Sequence, residues 1–165
     1  MEYGILSGNE IVENITKGLI SITPFVRKHV NPVSVDLTLG KQVSVYKSVI
    51  NGDWSKKEDG IVGGSIYPHS YNSPKIQPPS SGYLDARVKN EVLEYELEDG
   101  EAILLKPGIG YLMHTAERVW TDTFVPVLDG KSSIGRLFTM VHVTAGSGDP
   151  GFTGQYTLEV VVINQ

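Results

Sequence analysis

The chain contains no cysteine. That absence excludes disulfide staples, thiol nucleophiles and thiolate metal sites. Histidine is scarce, and the four at positions 29, 69, 114 and 142 show no metal-ligand spacing. No apolar run approaches the roughly 18 residues of a membrane span. The opening MEYGILSGNE lacks the basic region and apolar core of a secretory signal. A cytoplasmic protein without a membrane partner is therefore expected. Basic residues are also in deficit. With 14 Lys+Arg against 19 Asp+Glu the net charge is −5, which argues against nucleic acid as a partner. A local cluster of donors can still bind a small anion on an acidic protein.

What is present fits one soluble domain with a core, spanning 1–165, since 165 residues carry 40% hydrophobic and 20% charged side chains. Ser7-Gly8-Asn9-Glu10 has the form of a capping box. Ile11, Val12, Ile15 and Leu19 then make a helical stripe, with Gly18 as a stop. Almost everything later reads as β. The expected strands are Ile20–Pro24, Val33–Gly40, Gln42–Tyr46, Glu91–Glu98, Ala102–Leu105, Tyr111–Met113, Thr123–Leu128, Thr139–Val143 and Tyr156–Ile163. In Glu91–Glu98 the acids alternate with Leu93, Tyr95 and Leu97, so they solvate one face of a strand. The span 51–89 is rich in Gly, Pro, Ser, Asn and Tyr without a sustained period. It reads as a long loop or arm. Many short strands with frequent turn signals indicate a barrel or sandwich.

The chemistry-bearing residues concentrate between Asp129 and Glu159. Gly130-Lys131-Ser132-Ser133 offers close backbone approach, two hydroxyls and an ammonium to an anion. It lacks P-loop spacing, and an ordinary polar turn is the competing reading. Arg136 precedes Leu137-Phe138, so it serves either a structural ion pair or a reacting group. Asp149, in a Gly-Ser-Gly-Asp-Pro-Gly loop, either caps its own turn or grips a sugar hydroxyl or water. Glu159 interrupts an apolar strand. Desolvated there, its pKa is expected to rise unless a cation pairs with it, which suits a general base that later acts as an acid. A strand-end carboxylate facing solvent is the alternative. His142 reads as a hydrogen-bonded core or interface histidine. Without cysteine, the arrangement of zinc nucleobase deaminases is excluded, and no zinc is expected.

Several of these segments, in order, resemble the dCTP deaminases and their bifunctional dCTP deaminase–dUTPase relatives in the dUTPase-like superfamily. They are Gly4–Gly8 through Ser21–Phe25, Val33–Gly40, Asp129–Arg136, His142–Gly146 and Asp149–Glu159. The resemblance implies a mainly β fold: a distorted β-barrel of the dUTPase-like (β-clip) type with a short N-terminal helix, assembled as a homotrimer with shared active sites. It implies that Lys131, Ser132, Ser133, Ile134, Gly135 and Arg136 line the triphosphate and base site. Ser132 and the carbonyl of Ala145 would position the attacking water, and Arg136 would orient and charge-balance the catalytic carboxylate. Asp149 would bind the deoxyribose 3′-hydroxyl, Thr157 and Leu158 would contact the pyrimidine through their backbone, and Glu159 would shuttle protons. Mg²⁺ would be carried by the triphosphate, with no metal held by the protein alone.

The chain departs from the family pattern in places. Lys131 stands where arginine is usual, keeping charge but losing the bidentate fork. Ser147-Gly148 replaces a bulkier pair, which is expected to loosen the loop. Phe138-Thr139 departs from the usual Leu-Gly-Leu-like run. Gly146 is more like the bifunctional branch. The chain stops six residues after Glu159, where family members continue with a strand, a turn and a tail over the triphosphate, so these are expected to be absent. The function implied is hydrolytic deamination of dCTP to dUTP and ammonia, with onward hydrolysis to dUMP and pyrophosphate left open. A dUTPase without deaminase activity and a catalytically silent nucleotide-binding protein are the alternatives.

Overall fold

Ser7 begins the first element as the sequence dictates. In the computed structural model, which describes residues 4–46, 87 and 89–163, its hydroxyl accepts the Glu10 N–H at 3.3 Å and its own N–H donates to the Glu10 carboxylate at 2.7 Å. That reciprocal cap opens α1, Gly8–Thr16, and the Ser7 bonds hold the Glu10 carboxyl below its ordinary range. Gly18, at φ 73°, lies just past the end. The stripe of Ile11, Val12 and Ile15 is half-buried, and Leu19 is exposed. Gly8 is what fastens the helix: its N–H donates to Pro32 O at 2.7 Å, and a Cβ there would collide with the Asn31 carbonyl.

Among the described residues eight short strands follow: β1 Ser21–Thr23, β2 Gln42–Tyr46, β3 Val92–Glu96, β4 Gly110–His114, β5 Arg118–Trp120, β6 Thr139–Met140, β7 Thr153–Gly154 and β8 Thr157–Val162. They form a three-stranded sheet in the order β1-β5-β7 and a five-stranded sheet in the order β3-β2-β4-β8-β6. Within the larger sheet the register sets Tyr111 opposite Val160, Met113 opposite Leu158 and Leu112 opposite Glu159. Alternation then sends Val43, Val45, Tyr111, Met113, Leu158 and Val160 to one face, where with Ile109 they form the buried core. Burying each such side chain contributes about 1.5–3 kcal/mol. Glu159 lies on the other face by the same parity.

The fold is mainly β, as expected, but the described strands make two separate sheets and not a closed barrel. The reason is local bonding. Val33–Gly40 alternates like a strand, yet Asn31 N–H bonds to Ser34 O and Asp36 N–H to His29 O. Its backbone is spent on turns, leaving only the bridges Val30–Val35 and Leu39–Thr115. Ala102–Leu105 forms no strand, and Thr123–Leu128 makes only the bridge Val127–Ser147. Conversely, β5 and β7 were not foreseen, because runs of three and two residues are too short to show a period. The span 51–89, read as a long loop or arm, lies outside the described residues except for Arg87 and Lys89.

Candidate active site

Glu159 sits near the middle of β8, half-buried. Its N–H donates to Val141 O at 3.0 Å, and its carboxylate accepts the Val143 N–H at 3.0 Å. The segment leaving β6 therefore grips Glu159 twice, fixing where the carboxylate points.

The peptide groups beside it follow from strand parity. Tyr156 O and Val162 O accept from Thr115 and Gly108 on the β4 side, whereas Glu159 and Ile163 donate to Val141 and Phe138 on the β6 side. Alternation directs the Leu158 peptide groups to β4 and those of Thr157 to the β6 side. β6 has already ended there, so Thr157 presents an exposed N–H and C=O next to Glu159. The Leu158 side chain is buried in the core.

The Lys131–Arg136 segment is a single helical turn rather than a loop. Ser132–Gly135 form α2, with Lys131 as N-cap and Arg136 as C-cap. Ser132, Ser133, Gly135 and Arg136 are exposed and Ile134 is half-buried. Lys131 reaches across the fold to Asp36, Nζ to Oδ2 at 2.5 Å. That contact holds the Asp36 carboxyl below its ordinary range, with a further bond from Asn31 at 2.8 Å. Asp36 was not singled out from the sequence; in an alternating segment it resembles any solvent-facing strand acid. Among the described residues Arg136 makes no ion pair and Glu159 has no cationic partner.

Ala145 is exposed beside Gly146, whose carbonyl accepts the Leu128 N–H at 2.6 Å. A Cβ on Gly146 would lie 2.7 Å from the His142 ring and 2.9 Å from Leu128 O, so only glycine passes. The His142 ring is thus packed under this loop, but its buried Nδ1 has no hydrogen-bond partner among the described residues. The expected hydrogen bond at that atom is not made.

Asp149 is exposed at the loop tip, and its carbonyl accepts the Phe152 N–H at 3.1 Å. The loop before it is tight, contrary to the expectation drawn from Ser147-Gly148. Gly148 N–H donates to Pro126 O at 2.8 Å, and a Cβ on Gly148 would stand 2.9 Å from both Pro126 Cγ and the Tyr156 hydroxyl. Tyr156 fills the space a larger residue would take. Its ring stacks on Phe152 with centroids 5.4 Å apart, and burial pushes its phenol above the ordinary value.

A half-buried carboxylate, an open strand edge, a cation-bearing helical turn and a tightly packed acidic loop thus come from the segments that carried the resemblance. The dCTP deaminase-like family profile matches residues 5–165.

The chain belongs to the dCTP deaminase-like family.

Individual relatives agree. It is 35% identical over 159 residues to a protein of Clostridium botulinum named "dCTP deaminase, dUMP-forming", an alignment covering 96% of this chain and 72% of the relative. A protein of the same name from Clostridium beijerinckii is 36% identical, with the same coverage. One from Coprothermobacter proteolyticus is 33% identical, covering 97% of this chain and 72% of the relative. Among solved structures, the 2′-deoxycytidine 5′-triphosphate deaminase of Agrobacterium tumefaciens superposes with a TM-score of 0.58 at 20% identity. That match covers 98% of this chain and 42% of the solved one, so this chain spans less than half of that protein's length. The likeness is one of fold. No helix among the described residues is long and apolar enough to cross a membrane.

Proposed function

We propose that this protein is a hydrolase that deaminates dCTP to dUTP and ammonia and carries the product on to dUMP and pyrophosphate. The observation that supports this most is Glu159, a half-buried carboxylate oriented by the Val143 N–H beside the open peptide edge of Thr157. A base that pairs through its edge with the Thr157 backbone would bring C4 next to that carboxylate, whereas the Leu158 peptide groups, implied by the resemblance as a second contact, are turned to β4.

The chemistry needs only groups already named. Ser132 and the Ala145 carbonyl hold a water, and Glu159 takes its proton as the oxygen attacks C4 of cytosine. The same carboxyl gives that proton to N3, takes a second from the new C4 hydroxyl and passes it to the amine; the C4–N bond breaks, and ammonia leaves with a C4 carbonyl behind. Arg136 balances the carboxylate's charge. Lys131 through Arg136, with Ser133, Ile134 and Gly135 between them, line the triphosphate, and Asp149 receives the 3′-hydroxyl.

Mg²⁺ enters with the triphosphate, where it neutralises phosphate charge. Asp36, beside the α2 turn, is already occupied by Lys131 and Asn31. Assembly as a homotrimer with shared sites is part of this reading. It accounts for the α2 hydroxyls and the Arg136 guanidinium, which make no side-chain hydrogen bond or ion pair among the described residues.

The test is to incubate the protein with Mg²⁺ and dCTP or dUTP and separate the products. Ammonia with dUMP is expected. Ammonia with dUTP alone removes the second step, dUMP from dUTP without ammonia from dCTP identifies a dUTPase, and no turnover of either refutes the enzymatic reading.

A further inference from the structure

Glu117 is a buried acid that the proposed chemistry does not use. It is 3% exposed and enters no ion pair among the described residues. Burying such a group is costly unless it is hydrogen-bonded, and an apolar side chain would pack the same place more cheaply. What the carboxyl group does there is specific: it accepts the Thr38 N–H at 2.8 Å. The neighbouring Ala116 N–H donates to Thr38 O, also at 2.8 Å. Two consecutive residues thus take both backbone groups of Thr38.

The turn that carries Glu117 is itself anchored. Thr115, 2% exposed, donates its hydroxyl to Glu117 O at 2.9 Å, and the same oxygen accepts the Tyr156 N–H at 3.0 Å. Thr38 therefore hangs from a support tied to the start of β8. Asp36 stands two residues before Thr38, and its carboxylate meets Lys131 Nζ and Asn31 Nδ2. The segment 33–40 joins its neighbours only through isolated bridges, so no sheet ladder can replace the Thr38 clamp. An ammonium on a flexible four-carbon stem has no fixed direction of its own. Lys131 is 61% exposed, and its one anionic partner among the described residues is Asp36. Support runs from Glu117 to Thr38, from there to Asp36, and from Asp36 to Lys131.

We propose that Glu117 is a positioning residue for triphosphate binding: by holding Thr38 it sets where Asp36 stands, and so where Lys131 presents its ammonium. The inference rests on the reading, given above, that Lys131 lines the triphosphate.

The test is made in a Glu159→Gln background, where dCTP binds without being consumed. Calorimetry reads the affinity for dCTP with Mg²⁺, and circular dichroism reads folding. Glu117→Gln keeps an oxygen for the Thr38 N–H, Glu117→Asp retracts it and Glu117→Ala removes it. Binding is expected to stay within about twofold of the background for Glu117→Gln and to weaken about three- to tenfold for the other two, the worth of one hydrogen bond. Adding Lys131→Ala abolishes that loss, because a side chain that is gone cannot be positioned. An equal loss with and without Lys131 makes Glu117 merely structural and overturns the inference. So does a Glu117→Gln as weak as Glu117→Ala, or a Glu117→Ala that binds like the background. Should Glu117→Ala not fold, Glu117→Asp with and without Lys131 decides in the same way. A background that binds no dCTP, or a Lys131→Ala that binds it undiminished, refutes the reading of the site itself, and the inference falls with it.

Discussion

Replacing Gly148 by alanine places a methyl group 2.9 Å from Pro126 Cγ, 2.9 Å from the Tyr156 hydroxyl and 3.0 Å from Tyr156 Cε1. None of these atoms moves freely. Tyr156 is held by its stack on Phe152 and by its N–H on Thr115 Oγ1 at 3.0 Å. Pro126 is tied to Gly148 itself by the 2.8 Å backbone bond. Overpacking of this kind costs about 1–3 kcal/mol. Taking about 2 kcal/mol, the thermal midpoint of a chain this size falls by roughly 4–8 °C. Asp149 is the next residue, so a displaced loop also raises KM for the nucleotide more than it lowers kcat. The measurement is a double-mutant cycle with Tyr156→Ala, followed by calorimetry and by steady-state ammonia release. With the Tyr156 ring gone, Gly148→Ala loses the part of its cost that does not come from Pro126, giving a coupling of about 1 kcal/mol. A neutral Gly148→Ala, or one equally costly in the Tyr156→Ala background, refutes the claim that Tyr156 makes this position a glycine.

Two further predictions concern the charged groups. Glu159→Gln keeps a side chain that can still accept the Val143 N–H but cannot take a proton; ammonia release falls by about 10²–10⁴-fold, while nucleotide binding measured by calorimetry is largely retained. Asp36→Asn removes the partner of Lys131. Because Lys131 holds the Asp36 carboxyl below its ordinary value of 3.8, the pair's stabilisation is present above the unfolded carboxyl's pKa and is lost as pH falls through the lower folded one. The pair is largely exposed, with Lys131 at 61% and Asp36 at 30%, so its contribution is at most about 1 kcal/mol. Urea midpoints of parent and variant are therefore expected to differ slightly at pH 7 and to converge as pH falls below the ordinary carboxyl value of 3.8 and through the lowered folded one; a gap that widens on acidification contradicts this assignment.

Where interactions run between near neighbours, the sequence alone was sufficient. The Ser7–Glu10 cap spans three residues, and its pattern announced α1. Strict alternation located β2 and β3, because a period of two fixes which side chains share a face, and short β-rich runs between turn signals located β4 and β8. The order of motifs from Asp129 to Glu159 identified the family before any geometry was known. Alternation does not say whether a segment finds a partner strand: Val33–Gly40 alternates, yet its backbone bonds to residues 29–31 and 114–116 through turns and isolated bridges only. Nor does it reveal contacts across long separations. Lys131 and Asp36 stand 95 residues apart, Thr38 and the buried Glu117 that accepts its N–H 79 apart. Gly148 read as a loosening of its loop because only the folded chain brings the Tyr156 ring beneath it. The residue types of the site were thus written in order along the chain. Their partners and the open peptide edge at Thr157 were decided by tertiary packing, which no local pattern encodes.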